Sequence, residues 1–199
     1  MKRLVLAAVL ATAGAPVAFA NAVPGQPAAD FKLADVTGKA HRLADYRGRY
    51  VVLEWFNQGC PFVQKHYESG NMQSLQKRFT DKGVVWLAIS STNPKSSDYR
   101  DPVRAQGVMK DWQMAPSAFM LDEDGAVGRR YGAKATPHMF VVDPKGTVIY
   151  AGAIDDKPTW HAEDVKTARN FVAAALDEAM GGKPVSQPST QAYGCSVKY

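Results

Sequence analysis

The chain holds only two cysteines among its 199 residues, Cys60 and Cys195, and no Cys-x-x-Cys pair. With Cys60 as the first sulfur, the second position of such a pair is Val63, which excludes dithiol exchange within a single turn. Histidine is scarce too, at positions 41, 66, 138 and 161. With no second cysteine nearby, a metal centre combining Cys60 with His66 or His138 is not expected, and no cofactor is implied. Basic residues outnumber acidic ones mildly and form no cluster, which argues against nucleic acid as a partner. No internal repeat is present. Beyond the first twenty residues, no run is long and apolar enough to span a bilayer.

Those first twenty residues read as a signal peptide. Lys2 and Arg3 precede an apolar stretch from Leu4 to Phe19, and Ala18-Phe19-Ala20 supplies a small-x-small cleavage site. Gly14 and Pro16 interrupt the stretch, so cleavage before Asn21 is expected rather than stable membrane insertion. The remainder carries 22 Lys and Arg against 19 Asp and Glu, a net charge of +3. It is long enough for one domain with a sizeable core. The expected division is a signal at 1–20, one domain over 21–184, and a Ser/Pro/Gln-rich tail over 185–199 that carries Cys195. Export leads to an oxidising compartment, the periplasm in a Gram-negative cell, where two cysteines are able to pair.

Local patterns supply the elements. Phe31-Lys32-Leu33 and Ala40-His41-Arg42-Leu43 flank a Gly-containing turn and read as a small hairpin. Tyr50–Phe56 and Val84–Ser90 are apolar runs of strand length, expected to lie buried in a sheet. Between them, Pro61–Thr80 has helical periodicity interrupted at Gly70-Asn71. Lys65, Lys77, Arg78 and Lys82 are expected on the exposed side of this segment. A helix near Val103–Trp112, a short strand at Ala118–Leu121 and a short helix at Ala126–Tyr131 follow. His138–Val142 and Thr147–Tyr150 then flank the turn Asp143-Pro144-Lys145-Gly146. A final helix is expected from Ala162 to Met180, stopped by Gly181-Gly182, and beyond Lys183-Pro184 the tail lacks periodicity. Strand-helix repeats closed by a hairpin and a helix imply an α/β architecture with a partly parallel sheet.

Cys60 sits where the first of these buried strands ends, and Pro61 is suited to the first position of a helix. The free amides and positive dipole end of a helix start favour a thiolate, a plausible seat for a reactive sulfur. Trp55 and Trp86, at strand positions, read most simply as core, though Trp55 is near enough along the chain to wall such a site.

Taken together, Ala28-Ala29-Asp30-Phe31-Lys32-Leu33, Cys60-Pro61-Phe62-Val63, the stretch from Ala135-Thr136-Pro137 to Lys145-Gly146, and Gly194-Cys195-Ser196-Val197-Lys198-Tyr199 resemble the thioredoxin fold. Within that fold they resemble the alkyl hydroperoxide reductase and thiol-specific antioxidant superfamily, the redoxin or peroxiredoxin-like proteins. The resemblance implies an α/β thioredoxin-like fold, a central mixed sheet flanked by helices, with an N-terminal hairpin. It implies a cis-proline at Pro137 packed beside Cys60, and Cys195 as the near-terminal cysteine of an exported branch. Trp55, Asn57, Pro61, Thr136 and Pro137 would line the site, with Arg129 or Arg130 as the cation.

Two departures bear on activity. Peroxiredoxins carry a threonine three residues before the peroxidatic cysteine and a proline four further back; here those positions hold Asn57 and Leu53. The resemblance implies a thiol-based oxidoreductase. Its first form is peroxide reduction by Cys60, with Cys195 as resolving cysteine and an external thiol as reductant. That route needs a mobile tail, for which Ser186–Tyr193 is the expected segment. The alternatives are thiol-disulfide exchange on exported proteins, and a non-catalytic module stapled by a Cys60–Cys195 disulfide.

Overall fold

A computed structural model describes residues 22–199, so the expected signal peptide lies outside the described residues. The sequence VVLEW, fully buried, forms β3 (Val51–Trp55) at the centre of a five-stranded sheet. On one side it pairs in parallel with β4 (Val85–Ser90), which pairs in parallel with β5 (Ala118–Leu121). On the other side it meets β7 (His138–Val142) antiparallel, and β7 continues into the hairpin partner β8 (Val148–Gly152). The hairpin turn is as expected: Gly146 N donates to Asp143 O, and Asp143 Oδ1 accepts from Thr147 N at 2.8 Å. The N-terminal hairpin is β1 (Lys32–Ala34) with β2 (Ala40–Arg42).

Parallel strands require crossovers, and helices supply them. Between β3 and β4 run α1 (Pro61–Glu68) and α2 (Asn71–Thr80), separated at Gly70, and α3 (Pro102–Asp111) joins β4 to β5. Strand alternation divides the core in two. Val52, Phe56, Trp86, Phe119 and Val141 pack with α1, α2 and α3. Val51, Leu53, Trp55, Leu87 and Phe140 pack on the opposite face with the N-terminal segment and α4 (Ala126–Tyr131). Among the described residues no helix is long and apolar enough to cross a membrane.

Three expectations are corrected. The final helix is two elements: a 3-10 segment over Ala162–Thr167 with no buried residue, then α5 (Phe171–Met180). The break lies at Asn170, whose side chain caps α5 by accepting from Ala173 N at 2.8 Å, while Arg169 O and Phe171 N bond Asp156 and Ile154. Lys65 is not on the surface but 1% exposed, because a buried carboxylate at Asp155 lies 3.6 Å from its Nζ. The tail is not a loose segment. Ala151 N donates to Pro188 O, Thr190 N donates to Ala151 O, and Thr190 Oγ1 accepts from Ala153 N at 2.9 Å. Gly152 permits this approach, since a Cβ there would fall 2.4 Å from the Thr190 carbonyl oxygen.

Candidate active site

The end of β3 shapes the cysteine turn. Asn57 Oδ1 accepts from Gly59 N at 2.8 Å, and Cys60 N donates to Asn57 O at 3.1 Å. Cys60 then caps α1 with its carbonyl, which accepts from Val63 N and Gln64 N, while its thiol makes no capping bond. Pro61 takes the first helical turn, where a missing N–H costs nothing. The freed thiol, 1% exposed, donates to Thr136 O at 3.0 Å. The Thr136–Pro137 bond is cis, and both residues are buried.

The other sulfur arrives along a strand. β6 (Ala135–Thr136) pairs antiparallel with β9 (Cys195–Ser196), and Thr136 stands opposite Cys195. Both cysteines are free thiols. Burial, then a hydrogen bond to the Cys60 sulfur and its charge, pushes the Cys195 thiol up to about 12. That shift disfavours a thiolate at Cys195.

The strap that carries Cys195 is anchored on both sides of it. Ahead, Tyr193 OH donates to Asp155 Oδ1 at 2.5 Å. Beyond, Lys198 O accepts from Asn93 N at 2.7 Å, and Tyr199 OH donates to Ala133 O at 2.8 Å. The strap thus crosses directly over Cys60.

The structure brings Cys60, Cys195, Asn57, Pro61, Thr136 and Pro137 together and places three other expected residues elsewhere. Trp55 lies on the opposite sheet face: its Nε1 donates to Ser91 Oγ at 3.0 Å and its ring packs on Tyr131 and Phe140. Alternation along β3 directs Glu54, not Trp55, toward the cysteine face. Arg129 rests on the Tyr199 ring at 4.5 Å, and Arg130 Nη1 donates to Asp30 O at 2.7 Å; neither contact is with Cys60. The Asn57 amide is itself committed, its Nδ2 donating to Asp98 Oδ2 at 3.1 Å.

Two buried polar groups escaped the sequence reading. Glu54 accepts from Tyr67 OH at 2.7 Å, Gln76 Nε2 at 3.0 Å and Trp86 Nε1 at 2.7 Å. Burial raises its carboxyl above the usual range against the pull of those three bonds. A lone carboxylate inside an otherwise apolar strand was the available signal. The second group, Lys65, His66, Asp155 and Tyr193, joins α1 to the strap across distant sequence and carries no local signature. Among the described residues no group of three or more His, Cys, Asp or Glu side chains is arranged to hold a metal ion.

Two histidines give the fold a pH dependence. Burial, then the Lys65 charge, lowers His66 from 6.5 to about 3; burial, then Lys134, lowers His138 to about 4. Below about pH 6.5 the unfolded chain takes up protons at both positions, whereas the folded chain refuses them until these lower values. Stability is therefore expected to fall as pH drops from 6.5 toward 4, by up to about 1.4 kcal/mol per pH unit for each histidine. Urea unfolding at pH 7 and pH 4.5 measures this, and His138→Phe should flatten the slope. Equal stability at the two pH values would contradict it.

A mixed five-stranded sheet flanked by helices, with a helix starting after Cys60 and a cis-proline at Pro137, is a thioredoxin-like fold. Residues 24–151 match the AhpC/TSA family, to which the chain belongs. It is similar to the thiol-disulfide oxidoreductase ResA of Geobacillus thermodenitrificans, 29% identical over 71% of this chain and 78% of that protein. It is also similar to a Mycobacterium tuberculosis protein provisionally named a peroxiredoxin, 30% identical over 64% of this chain and 83% of that one. Among solved structures, an uncharacterised conserved protein of Geobacillus kaustophilus superposes with a TM-score of 0.77 at 26% identity, covering 89% of this chain and 93% of that one.

Proposed function

We propose that the protein is an exported thiol-based oxidoreductase in which Cys60 and Cys195 cycle between dithiol and disulfide, exchanging with disulfides of other exported proteins. The observation that carries this reading is the β6–β9 pairing, which sets Cys195 opposite Thr136, the residue whose carbonyl accepts from the Cys60 thiol at 3.0 Å. Cys60 attacks a substrate disulfide as a thiolate, forming a mixed disulfide and expelling one substrate sulfur, which takes up a proton. Cys195 loses its proton and attacks Cys60 Sγ, closing the internal disulfide and releasing the second substrate thiol. An external dithiol restores the pair. Because Cys60 is 1% exposed, the strap must swing aside before a substrate reaches it.

Peroxide reduction is the second reading, favoured by the peroxiredoxin-named relative. In that route the Cys60 thiolate attacks a peroxide oxygen, the O–O bond breaks and an alcohol or water leaves with a proton; the resulting sulfenic acid condenses with the Cys195 thiol to a disulfide, releasing water. The Asn57 amide, held by Asp98 and Gly59, weighs against it.

Cys195→Ser separates the readings. We expect this variant to trap mixed disulfides with exported proteins through Cys60, and to react with peroxide no faster than an ordinary free thiol. Fast peroxide consumption without trapping would move the assignment to the second reading. Neither reaction, together with a reduction potential below about −300 mV for the native disulfide, would leave only a structural staple.

A further inference from the structure

One hydrogen-bond chain, buried at His66 and Asp155 and half-buried at Asn71 and Tyr193, passes through the strap two residues before Cys195. Asn71 Nδ2 donates to His66 Nδ1 at 3.0 Å, which fixes His66 as the Nε2–H tautomer. His66 Nε2 then donates to Tyr193 Oη at 3.2 Å, and the Tyr193 hydroxyl donates onward to Asp155 Oδ1 at 2.5 Å. Each donor in the series has one acceptor and the directions agree from end to end. Lys65, whose Nζ is 3.6 Å from Asp155 Oδ2, supplies the counter-charge. The side chains of Lys65, His66 and Asp155 are 0–1% exposed, so the middle of the chain and its acceptor are shielded from competing water. The Tyr193 ring also rests against Phe62 at 5.8 Å, on the first turn of the helix that Cys60 begins.

We propose that Tyr193 is a positioning residue for the Cys60–Cys195 couple, latching the strap through the Asn71–His66–Tyr193–Asp155 chain so that Cys195 is presented to Cys60. The latch rests on the redox reading above and extends it to the control of the pair. With the latch closed, the second thiol is held at high effective concentration beside the first, and ring closure to the disulfide is favoured. With the latch open, Cys60 is uncovered and the disulfide is easier to reduce. Phenylalanine at 193 keeps the ring packing but leaves the His66 Nε2–H and the Asp155 carboxylate without their shared partner. A charge-assisted bond of this kind is worth about tenfold or more in an equilibrium.

The test uses the full chain with glutathione as the redox probe. The two thiols give two protons and two electrons to glutathione disulfide, whose S–S bond breaks to yield two glutathione thiols. Tyr193→Phe is expected to shift this equilibrium toward the dithiol by about tenfold or more. In the Cys195→Ser background it should raise the iodoacetamide alkylation rate of Cys60 by a similar factor. Should Tyr193→Phe lose its fold, Asn71→Ala at the far end of the chain should move both readouts the same way by less. An equilibrium and an alkylation rate both within about twofold of the parent proteins would overturn the latch. If the native chain forms no internal disulfide at any glutathione ratio, the redox reading fails. The alkylation arm, which needs no disulfide, then still decides the latch.

Discussion

Replacing Gly194 with alanine is expected to part the two cysteines while leaving the domain folded. Gly194 has a φ of +124°, a backbone conformation open to glycine and strained for any other residue. A Cβ at this position would lie 2.0 Å from the Thr136 carbonyl oxygen and 2.8 Å from its carbon. Both are backbone atoms of β6, a strand buried along its length, so they have little room to give. The strap must yield instead, and β9 leaves β6 with Cys195 on it. Backbone strain alone is worth about 2 kcal/mol, so the equilibrium for closing the internal disulfide should fall by roughly thirtyfold or more. Exchange against glutathione measures it, with the thermal midpoint as control. A disulfide that forms as readily in Gly194→Ala as in the native chain would show that the observed β6–β9 pairing does not govern the couple.

The largest expected effect on stability comes from Glu54→Leu. The substitution suits an apolar strand by pattern, yet it strips the acceptor from Tyr67 OH, Gln76 Nε2 and Trp86 Nε1 at once. Tyr67 and Gln76 retain one bond to each other at 3.0 Å, and Gln76 Oε1 still accepts from Ala115 N, so the loss is partial. Two to three buried donors left short of a partner cost about 3–5 kcal/mol. For a domain of this size the thermal midpoint should drop by roughly 10 °C or more. A loss below about 1 kcal/mol in urea unfolding would mean that these donors find other partners on relaxation.

How much the sequence disclosed depends on the range of the interaction. The buried strands β3 and β4 and the break at Gly70 are carried by periodicity over a few residues, and all are where the pattern puts them. Cys60 ahead of Pro61 was legible because turn chemistry is local, whereas the role of Thr136 ahead of Pro137 came only from the family resemblance. Trp55 is core, as its strand position suggested, and only its nearness along the chain suggested a place in the site. Alternation from Val52 through Glu54 to Phe56 already turns it to the far face. The break before α5 was not legible, because the backbone bonds that end the preceding turn come from Ile154 and Asp156. Lys65 looked like surface charge because its partner Asp155 is remote in sequence. The tail, lacking any period, took its order from single contacts with β8, β6 and Asp155. Such contacts are tertiary throughout, and no local propensity announces them.

The central claim is that Cys60 and Cys195 form one reversible dithiol-disulfide couple. Its most direct measurement is peptide mapping by mass spectrometry of the native chain equilibrated across a series of glutathione ratios. The account predicts that both thiols disappear together, that a single Cys60–Cys195 linked peptide replaces them, and that reduced glutathione or a dithiol reverses it. Independent glutathionylation of the two cysteines, with no linked peptide at any ratio, would contradict it.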